Sequence, residues 1–234
     1  MALRTLELAK TMDQTLLDPE ASPGEVEDVC RRALELHIAS VCVLPAHVGV
    51  AAEELRGSDV KVCAVIGSPS GATSPAAKIA EAERALVDGA RALEFVMNNG
   101  AMRCGAVRLV RDELVAFVRR MRMESANSGR GVVVLKAVIG TDHLPDNLKQ
   151  LACKIVERAE VDFAQTSTGQ DQSMATVHDV ELLREHLPEG VGVKACGAID
   201  TIEDVQAMAN AGASRIGSTV ALDLLEAPRL VRAS

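Results

Sequence analysis

The chain has no Trp and no Tyr, and its three Phe are Phe95, Phe117 and Phe163. A protein that stacks nucleic-acid bases needs aromatic platforms in a positive groove. Here 33 Asp+Glu outnumber 25 Lys+Arg over 234 residues, a net charge of −8. Sites that stack sugars or cage cations would also use Trp or Tyr. No apolar run approaches the roughly 18–20 residues needed to span a bilayer. The opening Met-Ala-Leu-Arg-Thr-Leu-Glu lacks the apolar stretch of an export signal. Cys30, Cys42, Cys63, Cys104, Cys153 and Cys196 form no CxxC, so they read as reduced, mostly buried small hydrophobes of a cytoplasmic protein. GxGxxG, P-loop and HExxH patterns are absent too, and the five His are dispersed. Neither nucleic acid, membrane, metal nor cofactor is expected.

What remains is aliphatic: 48 % of residues are hydrophobic, almost all Ala, Val, Leu, Ile and Met. Short apolar runs occur at Ala39–Leu44, Val60–Ile66, Leu93–Met97, Gly131–Ile139, Val161–Ala164, Val191–Ala195 and Ser214–Gly217, and a first strand is expected around Met12–Leu17. They begin roughly every 20–40 residues, the repeat of strand-plus-helix units. Most are continuous rather than alternating, as strands covered on both faces are.

Helix punctuation lies between the runs. Ser22-Pro-Gly-Glu25 and Thr201-Ile-Glu-Asp204 read as caps, and Ser74-Pro75 opens a helix that stops at Gly89. A helix over Arg108–Arg122 would turn Leu109, Leu114, Val115 and Val118 inward and its Arg cluster to solvent. Eight strands and about eight helices without a linker predict one α/β domain over 1–234, a (β/α)8 TIM barrel.

In such a barrel, reactive groups sit at the C-terminal ends of strands. Those positions hold Asp13 and Gln14, Cys42, Glu94, Lys136, Gln165 with Thr166 and Ser167, and Lys194 with Cys196. Lys136 and Lys194 lie inside otherwise apolar strands, so each should point into the barrel and be either paired or lowered in pKa. A neutral buried amine would suit imine chemistry; the alternative is a structural ammonium paired to Glu94, Asp13 or Asp162. Cys42 and His47 read as a core thiol and a surface ring rather than a nucleophile and its base. His37 and His186 fall near predicted helix ends, where cap or surface roles are ordinary.

Several stretches together resemble deoxyribose-phosphate aldolase along nearly the whole chain. They are Asp13-Gln-Thr-Leu-Leu-Asp-Pro, Val41-Cys-Val-Leu-Pro, Val65-Ile-Gly-Ser-Pro-Ser-Gly-Ala-Thr, Glu94-Phe-Val-Met-Asn-Asn-Gly-Ala, Val134-Leu-Lys-Ala-Val-Ile, Asp162-Phe-Ala-Gln-Thr-Ser-Thr-Gly, Gly192-Val-Lys-Ala-Cys-Gly-Ala-Ile and Gly212-Ala-Ser-Arg-Ile-Gly. The resemblance implies a barrel of class I aldolase ancestry that uses no metal, and a homodimer. It also exposes departures. The family's Schiff-base lysine precedes Thr-Ser-Thr-Gly, where this chain has Gln165, and an amide cannot form an imine. The family's proton-relay aspartate corresponds to Glu94, while Lys194 and Lys136 match family lysines. The family's phosphate cradle corresponds to Gly197-Ala198 and to Gly217-Ser218-Thr219-Val220, where one glycine and one hydroxyl are replaced. Gln170-Asp171-Gln172 adds negative charge nearby.

These features lead to a diverged enzyme acting on a small carbonyl substrate other than 2-deoxyribose 5-phosphate. Lys194 would be a relocated nucleophile, Lys136 the second choice, with Glu94 as acid/base and Asp13 or Gln165 as polar orienter. Alternatively, Glu94 and Lys194 perform acid/base chemistry such as cyclisation, dehydration or isomerisation. Cys42, Thr166, Ser167, Cys196, Gly197, Gly217, Ser218 and Thr219 are the expected substrate-binding positions. A reading from another class is a non-catalytic barrel that binds a metabolite or a partner protein.

Overall fold

Every strand of the chain is covered on both faces, by helices outside and side chains inside, which is why its apolar runs are continuous. In the computed structural model, which describes residues 2–129, 131–170 and 174–233 and side chains over 6–227, eight parallel strands close into a barrel. They are β1 (Met12–Leu16), β2 (Ser40–Val43), β3 (Lys61–Ile66), β4 (Ala92–Val96), β5 (Val134–Val138), β6 (Phe163–Gln165), β7 (Gly192–Cys196) and β8 (Arg215–Ser218). Each pairs with the next, and β8 returns to β1.

The outer layer is α1 (Ala2–Ala9), α2 (Pro23–Leu36), α3 (Val48–Glu54), α4 (Pro75–Asp88), α5 (Asn99–Arg103), α6 (Val107–Ser128), α7 (Asp146–Ala159), α8 (Val177–His186), α9 (Ile202–Asn210) and α10 (Ala221–Ala233). Among the described residues that is two more helices than expected, because α1 precedes the first strand and the short α5 lies in the loop after β4. The caps form as the sequence requires. Ser22 with Glu25 and Thr201 with Asp204 make capping boxes, and Ser74 accepts from Ala77 N. Gly89 ends α4 at φ 121°, where a Cβ would lie 2.5 Å from that of Ala52, so the turn admits only glycine.

Two expectations for α6 are corrected. Leu109 is 53 % exposed, and the inward stripe is Val110, Leu114, Phe117, Val118 and Met121. Leu114 and Val118 are buried as expected and Val115 is partly so; Phe117, which meets Phe95 at 4.4 Å between ring centroids, joins them. Arg108, Arg111, Arg119 and Arg120 are exposed, but Arg122 is half-buried and grips Asp162 with both carboxylate oxygens at 2.9 Å. Asp162 is therefore a partner of the helix layer, not of the strand lysines.

The register aligns the residues that matter. Glu94 faces Lys136 across β4–β5, Gln165 faces Lys194 across β6–β7, and Cys42 faces Cys63 across β2–β3. Inside the barrel, Cys42, Cys63, Val65, Ala92, Val96 and Val138 form an apolar half. The remaining interior is polar and charged. No helix among the described residues is long and apolar enough to cross a membrane.

Candidate active site

Side chains alternate between the two faces of a strand, so Asp13 and Thr15 face inward while Gln14 faces outward. Gln14 leaves the site: its amide donates to Thr219 O at 2.6 Å and accepts from Leu222 N at 3.1 Å, fastening the start of α10. Asp13, Glu94, Lys136, Gln165 and Lys194 converge on the barrel axis, all buried. Lys194 Nζ donates to Glu94 Oε1 at 2.6 Å and lies 3.0 Å from Asp13 Oδ2. Lys136 Nζ donates to Asp13 Oδ2 at 2.7 Å and to Glu94 Oε1 at 3.1 Å. Gln165 Nε2 donates to Glu94 Oε2 at 2.9 Å and to Ser167 O at 2.7 Å. Both neighbours of Nε2 are acceptors, which fixes the amide's orientation. It leaves Gln165 Oε1 buried without a hydrogen-bond partner.

Electrostatics follow from this packing. Burial resists ionisation of Glu94, yet Lys194 and Lys136 overcome it and pull its carboxyl down to about 2. Burial likewise opposes a charged Asp13, but Lys136, Lys194 and Arg215 draw it well below the usual carboxylate range. For both lysines burial favours the neutral amine and loses to the carboxylates, so each pKa is raised. The strand lysines are thus paired ammonium ions, one of the two states their setting allowed.

Arg215, which sequence reasoning passed over, adds a third cation, with Nη1 3.1 Å from Asp13 Oδ1. Its signal was the alternation in Ser214-Arg-Ile-Gly217, which turns Arg215 and Gly217 to one face. Three cations against two carboxylates leave the interior with one net positive charge (3 − 2). Gly217 makes room for this cluster: a Cβ there would lie 2.7 Å from Lys194 Cε and 2.8 Å from Cys196 Sγ.

The remaining predicted positions divide between scaffold and cavity. Thr166 Oγ1 donates to Cys196 O at 2.9 Å and accepts from Cys196 N at 3.0 Å, and the Ser167 hydroxyl donates to the same carbonyl. These two hydroxyls join β6 to β7. Cys196, Gly197, Gly217, Ser218 and Thr219 line a cavity of about 190 Å³ together with Thr15, Gly169 and Asp200. A second cavity of about 80 Å³ lies across the mouth, bordered by Asn99, Asp142, His143, Ser167 and Thr168. Gln170 also borders this second cavity, and its amide donates to Leu17 O at 3.0 Å and accepts from the Ser68 hydroxyl. Asp171 and Gln172 lie outside the described residues.

Cys42 lies beside Cys63 and Glu94, with donor atoms of all three within 4.8 Å of one another. A metal would need thiolates. The Cys63 hydrogen bond and burial hold the Cys42 thiol far above its ordinary pKa, and Glu94 is already occupied by both lysines. A protonated Cys42 and a carboxylate already held by two ammonium groups do not suit a metal ion. Outside it, His37 forms the C-cap of α2 in the left-handed region, His186 bonds Leu182 O at 2.9 Å, and His47 is half-buried ahead of α3.

No protein-family model matches the chain. The deoxyribose-phosphate aldolase of Streptococcus gordonii is 41 % identical over 221 residues, which cover 94 % of this chain and 96 % of that protein. A solved structure described as "QR15, an Aldolase" is 32 % identical with a TM-score of 0.86, covering 97 % of both chains. The deoxyribose phosphate aldolase of Aeropyrum pernix, described as a unique tetramer, is 27 % identical with a TM-score of 0.85, covering 97 % of this chain and 93 % of that one.

Proposed function

The chain belongs to the deoxyribose-phosphate aldolase family, and from that membership we propose that it is a diverged lyase that enolises a small carbonyl substrate by acid–base chemistry. The observation that carries this reading is the way the two oxygens of Glu94 are held, Oε1 by Lys194 and Lys136 and Oε2 by Gln165. Where the family resemblance places an imine lysine, Gln165 serves as a fixed hydrogen-bonding group. Lys194 is an ammonium, which is an acid rather than a nucleophile.

Substrate carbonyl oxygen entering beside Lys194 receives its proton. Glu94 removes a proton from the adjacent carbon; the C–H pair becomes the C=C bond and the carbonyl π pair passes to oxygen. The 2.6 Å contact then returns the proton from Glu94 to Lys194 and resets the pair. The net positive charge of the interior favours the negative charge developing on oxygen. Gln165 Oε1, buried and unpartnered, suits a hydroxyl donor of the substrate. An enol formed this way serves carbon–carbon bond formation or cleavage, dehydration and isomerisation alike. A substrate other than 2-deoxyribose 5-phosphate accords with the altered cradle at Ala198 and Val220.

The test is deuterium exchange from solvent into the α-carbon of a panel of aldehydes and ketones, followed by NMR. Exchange that depends on Glu94 and Lys194, with no borohydride-trapped adduct on any lysine, is the expected result. A trapped adduct on Lys194 would replace this mechanism with the imine version. A second reading, a non-catalytic barrel that binds a metabolite, is favoured by Gln170 crossing the mouth above lysines and carboxylates that are already paired with one another. It predicts ligand-dependent stabilisation with no exchange for any carbonyl.

A further inference from the structure

The cavity of about 190 Å³ over β1, β7 and β8 has one charged side chain in its lining, Asp200. We propose that it binds a protonated amine at the far end of the substrate rather than a phosphate, an inference that rests on the carbonyl-substrate reading for the reacting end alone. The floor of the cavity, at Cys196 and Gly217, adjoins Lys194, and Asp200 is exposed at its rim. Asp200 makes no ion pair among the described residues.

Two helices begin beside this cavity, and helix N-termini ordinarily favour anions. Here several of their donors are already used. Asp204 Oδ2 accepts from Thr201 N at 3.1 Å and from Asp200 N at 3.4 Å, so the chain's own carboxylate occupies the start of α9. At α10, Ser218 Oγ accepts from Val220 N and Gln14 Oε1 from Leu222 N, each at 3.1 Å. A phosphate would have to displace these partners and approach Asp200.

A second, independent observation points to a donor ligand. Thr15 lines the cavity and is 4 % exposed, and its buried hydroxyl has no hydrogen-bond partner of normal geometry; the Cys196 thiol lies alongside. Its lone pairs suit an ammonium proton. The surrounding field agrees. Loops at the C-terminal ends of the strands carry Asp18, Glu20, Asp142 and Asp200 against Arg103 among the described residues. Added to the one net positive charge of the interior beneath, these loops still leave this end of the barrel negative, which concentrates cations and repels phosphate.

Three matched probes without a carbonyl isolate this subsite: 3-amino-1,2-propanediol, glycerol and glycerol 3-phosphate, titrated at pH 7 by ligand-observed NMR. The amine is expected to bind at least about tenfold more tightly than glycerol 3-phosphate, by charge complementarity at the mouth. Asp200→Asn should remove most of that preference and leave glycerol unchanged. Tighter binding of glycerol 3-phosphate, or an amine affinity indifferent to Asp200→Asn, overturns the proposal. Deuterium exchange separates the two readings. Amine binding without exchange for any carbonyl defeats the enolisation reading and leaves the subsite standing. Exchange accompanied by a preference for phosphate defeats the subsite alone.

Discussion

Gln165 stands opposite Lys194 in the β6–β7 register, and the two side chains hold the two oxygens of Glu94. The position that the resemblance assigns to an imine-forming amine is thus tied into the same carboxylate as the lysine that remains. An amine restored by Gln165→Lys would enter an interior that already holds Lys136, Lys194 and Arg215 against two carboxylates. A further cation there is disfavoured, so the new amine should be neutral and nucleophilic. Acetaldehyde with borohydride is expected to label position 165 in this variant, as read by peptide mass spectrometry. An unlabelled variant that folds would show that the site no longer supports imine chemistry.

Lys194 separates the acid–base and imine mechanisms. Lys194→Met should lower the rate of α-carbon deuterium exchange by about 10²–10⁴-fold, the usual worth of a positioned acid. Lys194→Arg should retain part of the rate, because a guanidinium still donates a hydrogen bond but forms no imine. Equal and complete loss in both variants would argue against the acid role.

Acid should weaken the fold through the same cluster. Glu94 falls to about 2 in the folded state and Asp13 falls further, both below their unfolded values near 4. Depressed carboxyl pKa values stabilise fully above the unfolded value, and that stability is lost as pH falls through the folded value. Urea midpoints of the wild type should therefore decline from about pH 4 downward. Glu94→Gln should start lower at neutral pH and show a shallower decline. An identical slope in the variant would remove Glu94 from the account.

Gly217 is required by the side chains beside it rather than by its backbone. Gly217→Ala would press a methyl against Lys194 Cε and Cys196 Sγ. A loss of about 1–3 kcal/mol in chemical denaturation is expected, the usual cost of overpacking, with a simultaneous fall in deuterium exchange. Unchanged stability and exchange would mean that Lys194 has room to move.

A second buried pair, outside the barrel, should behave differently from the site. Lys78 Nζ lies 3.0 Å from Glu113 Oε1, donates to Val96 O at 3.0 Å and sits 4.4 Å over the Phe95 ring. Burial is the dominant influence on Lys78 and lowers its pKa. Lys78→Met strands a buried carboxylate and should cost about 3–5 kcal/mol. The double variant Lys78→Met, Glu113→Leu should recover most of that loss, because the charge left behind is gone. Additive losses in thermal or urea unfolding would contradict this.

Much of the fold was legible because its causes are local. Continuous β-branched runs such as Val60–Ile66 require cover on both faces, and the caps at Ser22, Ser74 and Thr201 mark where helices begin. Where local signals were ambiguous the expectation slipped: α6 buries Val110 in place of Leu109, since packing against Phe95 and the barrel decides its phase. Asp162 was misjudged for a similar reason, because its partner Arg122 lies far away in sequence, whereas the outward turn of Gln14 follows from strand alternation alone.

By itself the sequence determined an aliphatic, acidic barrel with two lysines and a glutamate inside it, and an amide where an amine would form an imine. Only the tertiary structure decided the state of those groups. Lysine inside an apolar strand can be neutral or charged, and the outcome depends on whether carboxylates from other strands arrive within about 3 Å to offset desolvation. Asp13 and Glu94 do arrive, so Lys136 and Lys194 are ammonium ions. Barrel closure also brought Thr15, Asp200 and Gly217 around one cavity, a juxtaposition of β1, β7 and β8 that no stretch of sequence contains.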